Sequence, residues 1–470
     1  VSTNQPNQYH LFLSSANWRR LHSWTNAGRV SGSQPNPTWN NEVPATFVSL
    51  GQVFDVTVRH QGSRWNRRGG SNISFDCPSH QNGSAQVRSW RVRFPSYRNW
   101  DGLDIIHLQK QSGWPQRISF KMFELAGVPS PRTSWSDLRI NGCQFNRDAF
   151  QIERPGKDLV GRWYDEVGDL FKSQGYTGDE GPWSWGDARL IRGTRNRFSE
   201  SERYEYTFNR KTLGWKNQPG DGKPDIVEPM IEALHAARGR GPQALRQWLS
   251  ENFDVDQTLR YICTINYVGT FDDMFQNHFL YRKAEDNKWC MLPWDMDNTL
   301  GGAFGQWNAN PFRGAEERRV GNVGNRSGWW NRIKDSFFIA YEQEFLSMFH
   351  QLNNTVHSPE NLRPVIEAIA AEGGRSGNVN SLMNHIQRRH DYLNSFIEPR
   401  LSPPLLALSL DAGNIVLQWP EGRTDFNLEA AASLFGPWRS VSEGQNVRQD
   451  TPTSYTVLPN QAQSFFRLSR

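Results

Sequence analysis

The strongest constraint on the fold is a change of hydrophobic period along the chain. Over roughly the first third, apolar and polar residues alternate, the period-two pattern of half-buried strands. YHLFL (9–13), VPATFVSLGQVFDVTVRHQG (43–62) and RSWRVRF (88–94) carry it, and a Gly-Gln turn makes the second run a hairpin. SDLRINGCQFNRDAFQIE (136–153) reads as strand, Asn-Gly turn, strand, because Asn-Gly supplies the positive φ angles of a two-residue hairpin. WPQRISFKMFELAG (114–127) interrupts with helical spacing and stops at Gly. From about Leu159 helical spacing takes over. Helices are expected over 225–237, 241–253, 254–269, 331–352, 359–373 and 379–397, with Asp225 and Asp254 as N-caps. One hairpin, 278–295, turns at Glu285-Asp286-Asn287 among them. Past the Pro-marked RLSPPLLALSL (400–410), short strands return at a spacing that suits a small β-sandwich. The expected fold is α+β. Residues 1–400 have a β-rich part to about 158 and a mainly helical part from 159, and an all-β unit covers 404–470.

With 470 residues a large core is available and one to three domains are expected. Lys and Arg number 53 against 48 Asp and Glu, a net charge of +5, which is too mild to demand a nucleic-acid partner. No apolar run approaches the ~20 residues of a membrane-spanning helix. The chain opens on VSTNQPNQYH, without Met or an apolar leader, so the expectation is a soluble, exported protein whose signal has been removed. Cys77, Cys143, Cys263 and Cys290 are too dispersed for a zinc site; one or two disulfides and buried free thiols both stay open. The 20 Trp, set among Gly, Asn and Pro, suit a rigid, loop-rich exported protein and leave glycan binding open.

Chemistry concentrates in GTFDDMFQNHFLYRKAEDNKWCMLPWDMDNTLGG (269–302). A carboxylate on a loop after a helix can take a proton from a hydroxyl. An amide oxygen a few residues on, and a second carboxylate returning on a hairpin, can hold a hard cation such as magnesium against phosphates. Asp272 and Asn277 have the D-x-x-x-x-N spacing of the protein-kinase catalytic loop, and Asp295 or Asp297 then stands where a kinase places its metal-binding aspartate. No Phe-Gly follows either one, so that match is in role only. The ordinary reading of the bare motif is an aspartate capping a turn and Asn298 closing a hairpin. The LPWDMDN segment after an intervening hairpin weighs against it.

These residues resemble the core signature of the CotH-type family of spore-coat and secreted atypical protein kinases: G-N-W-D, four residues, N, an aromatic-Leu-Tyr strand, K-W, then P-W-D-L-D. The segments 43–63, RSWRVRF, FELAGVPSP, RINGCQF and GDLFKSQG (168–175) resemble further family elements, so the likeness spans about residues 8–400. It implies a two-lobed, atypical kinase-like domain. It implies Asp272 as the base or substrate-orienting carboxylate, Asn277 and Asp295 as magnesium ligands, and Asp297 as support or a second-ion ligand. Lys172 would meet the nucleotide phosphates, with Glu153 orienting it, and Arg59 would also reach phosphate. Trp289 is the candidate for stacking on adenine, against the plain alternative of a packed Trp. Lys172 and Arg59 have the alternative of solvated surface cations.

The sequence departs from the family at Gln61, Arg88, Thr270 and Phe271, and residues 177–204 form an insertion that does not align with the family pattern, expected as a lid over the nucleotide or a substrate-docking loop. NQPGDGKPDI (217–226) lacks the ligand spacing of a calcium loop, and His385 and His390, five apart, lack the spacing that aligns two metal ligands. The expected reaction is magnesium-dependent transfer of the ATP γ-phosphoryl group to Ser or Thr of a secreted or cell-surface protein. Two other readings remain: transfer of another group such as AMP, and a non-catalytic surface or matrix protein whose Trp-rich loops bind glycan or a partner.

Overall fold

The computed structural model describes residues 7–26, 41–61, 89–109, 113–173, 184–185, 208–212, 226–270, 273, 277–301, 306–315, 330–373 and 379–401. In the C-terminal part it describes 406–411, 414–419, 426–431, 437–441, 447–451, 453–457 and 465–469. The chain is a mixed α+β protein.

The alternating first third folds as expected into strands, and these close on themselves. β1 (Asn7–Phe12), β2 (Val43–Ser49), β3 (Gln52–Gln61), β4 (Ser89–Arg93), β5 (Ile105–Gln109), β6 (Thr133–Ile140) and β7 (Cys143–Glu153) form a barrel in the order β1-β2-β3-β4-β5-β7-β6. Closure comes from a parallel pairing of β1 with β6, from Asn7 opposite Ser136 to Leu11 opposite Ile140. Closure removes the open edges that a flat sheet would expose. Inside, Phe47, Phe54, Phe94 and Trp100 meet edge-on at centroid separations of 5.1–6.2 Å, the geometry aromatic quadrupoles favour. Both hairpin turns use positive φ: Asn141 (51°) with Gly142 (83°), and Leu50 (48°) with Gly51 (72°). A helix over Ser15–Asn26, not expected from the sequence, precedes β2.

The helix Trp114–Leu125 leaves the barrel and joins a larger core shared with the helical part. The join is tight. Arg117 pairs with Glu372 at 2.6 Å, and the indole N–H of Trp135 in β6 donates to the Ile369 carbonyl at 2.9 Å. A second sheet, β8 (Asp169–Ser173), β10 (Phe208–Arg210), β11 (His278–Arg282) and β12 (Trp289–Pro293), runs in the order β10-β8-β11-β12. The two-residue strands β9 (Ser184–Trp185) and β13 (Trp330–Asn331) pair separately. Behind the sheet lies the most buried helix, Val255–Val268. Asp254 caps it by accepting from the Gln257 N–H at 3.0 Å, and Gly269 ends it at φ 82°. Asp225, the other expected cap, lies outside the described residues.

The single helix expected over 331–352 is two helices, Arg332–Ala340 and Glu342–Asn354. Tyr341 breaks it at φ −137°, ψ 37°. Its buried ring packs 5.9 Å from Phe337 and under the Arg246 guanidinium, and its hydroxyl donates to the Arg246 carbonyl. Those contacts outweigh helical continuity. Past residue 401, two sheets follow: β14 (Ala407–Asp411), β15 (Asn414–Gln418), β18 (Val447–Thr451) and β19 (Ser454–Val457) in one, and β16 (Asn427–Ala431), β17 (Arg439–Ser440) and β20 (Phe465–Ser469) in the other. Apolar side chains of both meet around Leu417, Trp419 and Leu428. Cys263 and Cys290 are free and buried, whereas Cys143 is disulfide-bonded; Cys77 lies outside the described residues.

Candidate active site

The second sheet brings the sequence motifs together. Register sets His278 opposite Pro293, so Asn277 and Trp294 face each other just beyond the hairpin. The Trp294 N–H donates to the Asn277 carbonyl at 3.2 Å, and Asp295 comes next in the chain. Asn277 and Asp295 both hold left-handed backbone, φ 64° and 57°. Asn and Asp tolerate that region better than most residues, yet each such position costs about 1–3 kcal/mol, and such strain gathers at functional sites.

Lys172 lies in β8 beside Phe279 of β11. Its ammonium stands 5.9 Å from the centroid of the Trp294 ring, which also meets Phe279 edge-on at 5.8 Å and His107 of β5 at 6.0 Å. Trp294 thus touches both barrel and sheet. The half-buried Asp295 carboxyl is pushed up by burial, and Lys172 works against that shift.

Facing this end of the sheet, the barrel presents a row of bases. Register sets Arg59 of β3 opposite Arg91 of β4, and Arg91 opposite His107 of β5. Arg93 and Arg154 crowd the same place. Burial, then Arg93 and Arg154, lowers Arg59 to about 10 and Arg91 to about 9. Lys211, just past β10, is held well below the ordinary lysine range by burial and then by Lys172, Arg154, Arg59 and Arg91. Burial and the same cations keep His107 neutral. Glu42 is an anion among them, paired with Arg91, 3.0 Å from Arg93 and 4.0 Å from Arg59. A pocket of about 160 Å³ opens beside Arg154 and Lys211, walled also by Lys157, Asp104 and Asp158. Cations that depress one another in this way are relieved by a multiply charged anion.

Among the described residues no three His, Cys, Asp or Glu side chains gather as a metal site. What the fold offers is a carboxylate and an amide, all oxygen donors, beside a cationic wall. That donor set fits magnesium, which takes one or two protein carboxylates and completes its shell with water and phosphate. Asp297, in the turn Met296–Asn298, accepts from the Asn298 amide at 3.1 Å.

Two expected roles are corrected. Trp289 is 4% exposed in β12, packed 6.1 Å from Phe171, and has no open face for adenine. Glu153 is fully buried, and its carboxylate is held by Arg162 at 2.5 Å and Arg132 at 3.5 Å, so its charge is already spent on arginines and not on orienting Lys172. Asp272 lies outside the described residues, as do residues 177–183 and 186–204 of the insertion. Its neighbour Asp273 is fully buried against Lys334. Sequence reasoning missed Arg91, His107, Arg154 and Lys211. The signal for Arg91 was present, since Arg91 and Arg93 stand two apart in a strand and share a face. The other three come from separate elements that only the fold brings together.

Fold and site together define a mixed α+β protein in which cations of the barrel and the second sheet gather near Asp295, with the Asn277 backbone hydrogen-bonded to the neighbouring Trp294. A family model described as CotH kinase protein matches residues 68–401, and the chain belongs to that family. It is similar to the inner spore coat protein H of Bacillus subtilis (strain 168), 24% identical over 271 residues, which cover 56% of this chain and 64% of that protein. The chain therefore spans less than two thirds of that relative's length.

Proposed function

We propose that the chain is an exported, magnesium-dependent protein kinase that transfers the γ-phosphoryl group of ATP to a Ser or Thr hydroxyl of a secreted or cell-surface protein. The observation that carries this reading is the convergence of Arg59, Arg91, Arg154, Lys172 and Lys211 opposite Asn277 and Asp295. Phosphoryl transfer asks a protein mainly for position and counter-charge, and this arrangement supplies both. In this reading Asn277 and Asp295 hold magnesium, with Asp297 in support. The ion would neutralise charge on the transferred and leaving phosphates. Lys172 and the barrel cations hold the phosphate chain. Asp272 orients the acceptor hydroxyl and takes its proton as the oxygen bonds to γ-phosphorus, while the bond to the bridging oxygen breaks and ADP departs.

The two-lobed division, with the barrel as one lobe and the helical part to about 400 as the other, belongs to the same reading. So does a separate β-sandwich over 404–470. Export is supported by the disulfide at Cys143, since such bonds persist mainly in oxidising compartments. The test is transfer from ATP to an acceptor protein, followed by intact mass. The expected gain is one phosphoryl group, lost on Asp272→Asn. A gain of AMP would replace the kinase reading with adenylyl transfer. An Asp272→Asn variant as active as the wild type would remove Asp272 from the mechanism.

A further inference from the structure

Lys334 is fully buried in the first turn of the helix Arg332–Ala340, where neither burial nor the helix dipole favours a cation. Burial lowers its pKa, and Asp273 opposes the shift. Its ammonium donates to Asp273 Oδ2 at 3.0 Å and to Asn266 Oδ1 at 2.8 Å. Asn266 belongs to the last turn of the helix Val255–Val268, and its amide donates to the Pro311 and Arg313 carbonyls at 2.6 and 3.2 Å. Arg389, also fully buried, donates to the Asn266 carbonyl at 2.6 Å and the Tyr267 carbonyl at 3.1 Å. On the other side, the Asp273 carbonyl accepts from Nδ1 of His278 at 3.0 Å, and His278 follows Asn277 directly. One ammonium thus ties the end of the central helix to the start of β11, through a buried aspartate.

We propose that Lys334 is a positioning residue for Asn277. It fixes Asp273, which fixes His278, and so holds the strained Asn277 backbone where its amide oxygen meets the cation beside Asp295. The inference rests on the phosphotransfer reading above. Space around the ammonium is closed as well: a Cβ placed on Gly314, at φ 96°, would lie 3.2 Å from Lys334 Nζ. A buried ion pair of this kind adds little net stability over well-packed apolar residues, which leaves geometry as its contribution.

The test is the double variant Lys334→Met with Asp273→Leu, which removes both charges together and so leaves no buried charge unpaired. Thermal unfolding checks that it folds. The expected result is a folded protein whose apparent magnesium affinity falls about tenfold or more, read both in ATP-dependent stabilisation and in transfer. Its kcat is expected to fall by up to about 100-fold, with KM for ATP little changed. A folded double variant with wild-type magnesium dependence and wild-type kcat would overturn the inference while leaving the kinase reading standing. A wild-type protein that neither binds magnesium-ATP nor transfers phosphate would overturn both.

Discussion

Single residues separate the chemistry from the packing here. Three residues given site roles in the sequence reading have different surroundings. Asp295 is half-buried near a lysine in a left-handed turn, Glu153 is engaged by arginines, and Trp289 is sealed in the core. Trp289 therefore belongs to stability. Trp289→Ala should destabilise the protein by about 3–5 kcal/mol, the usual cost of emptying a buried Trp site. Denaturant unfolding measures it. The increment of stability that magnesium-ATP adds to the folded variant should stay close to that of the wild type. A folded variant that loses the ATP increment would return Trp289 to the nucleotide site.

At the scale of elements, the periodic segments were legible because each buries one face. β1 to β4, β6, β7, the helix over 114–125 and the hairpin over 278–293 fall within a few residues of expectation, whereas β5 (Ile105–Gln109) was not expected. The Asn141-Gly142 turn was readable from its letters, while the equally positive φ of Leu50 was not. The break at Tyr341 was invisible because the apolar spacing runs straight through it, and of the Phe337 and Arg246 contacts that favour the kink, those with Arg246 are tertiary. The helix–helix junction after Asn354 carries a pH sensitivity of its own. His357 is fully buried, its Nε2 3.1 Å from the Met122 carbonyl, and burial lowers it to about 4 despite that partner. The unfolded chain takes up this proton near 6.5, so the unfolded state binds more protons in between. Stability is then complete above about pH 6.5 and falls as pH drops toward about 4, by roughly 3 kcal/mol for this group. Urea midpoints measured across that range should show the loss, and His357→Gln should flatten this part of the profile. An unchanged slope in the variant would assign the acid sensitivity elsewhere.

On the scale of the whole molecule, the sequence conveyed the β-to-α order and half of the candidate site, the Asn277–Asp295 half that lies in one contiguous stretch. Most of the other half was hidden for a physical reason. Arg59 and Lys172 were marked only by the family resemblance, while Arg91, His107, Arg154 and Lys211 lie in separate segments that only barrel closure and the docking of β8 and β10 set side by side. Barrel closure itself depends on β1 reaching β6, a long-range parallel pairing with no local signal. The central claim is that this assembled face and the Asn277–Asp295 pair together bind a metal-nucleotide complex. The most direct measurement is thermal unfolding of the wild type and Asp295→Ala, each with and without magnesium and ATP. A ligand that binds only the folded state raises its stability by about 2.7 kcal/mol at a hundred times its Kd. The account predicts a clear rise for the wild type that needs both magnesium and ATP and disappears in Asp295→Ala. A wild type unmoved by millimolar magnesium-ATP, or an Asp295→Ala protein stabilised as much as the wild type, would contradict it.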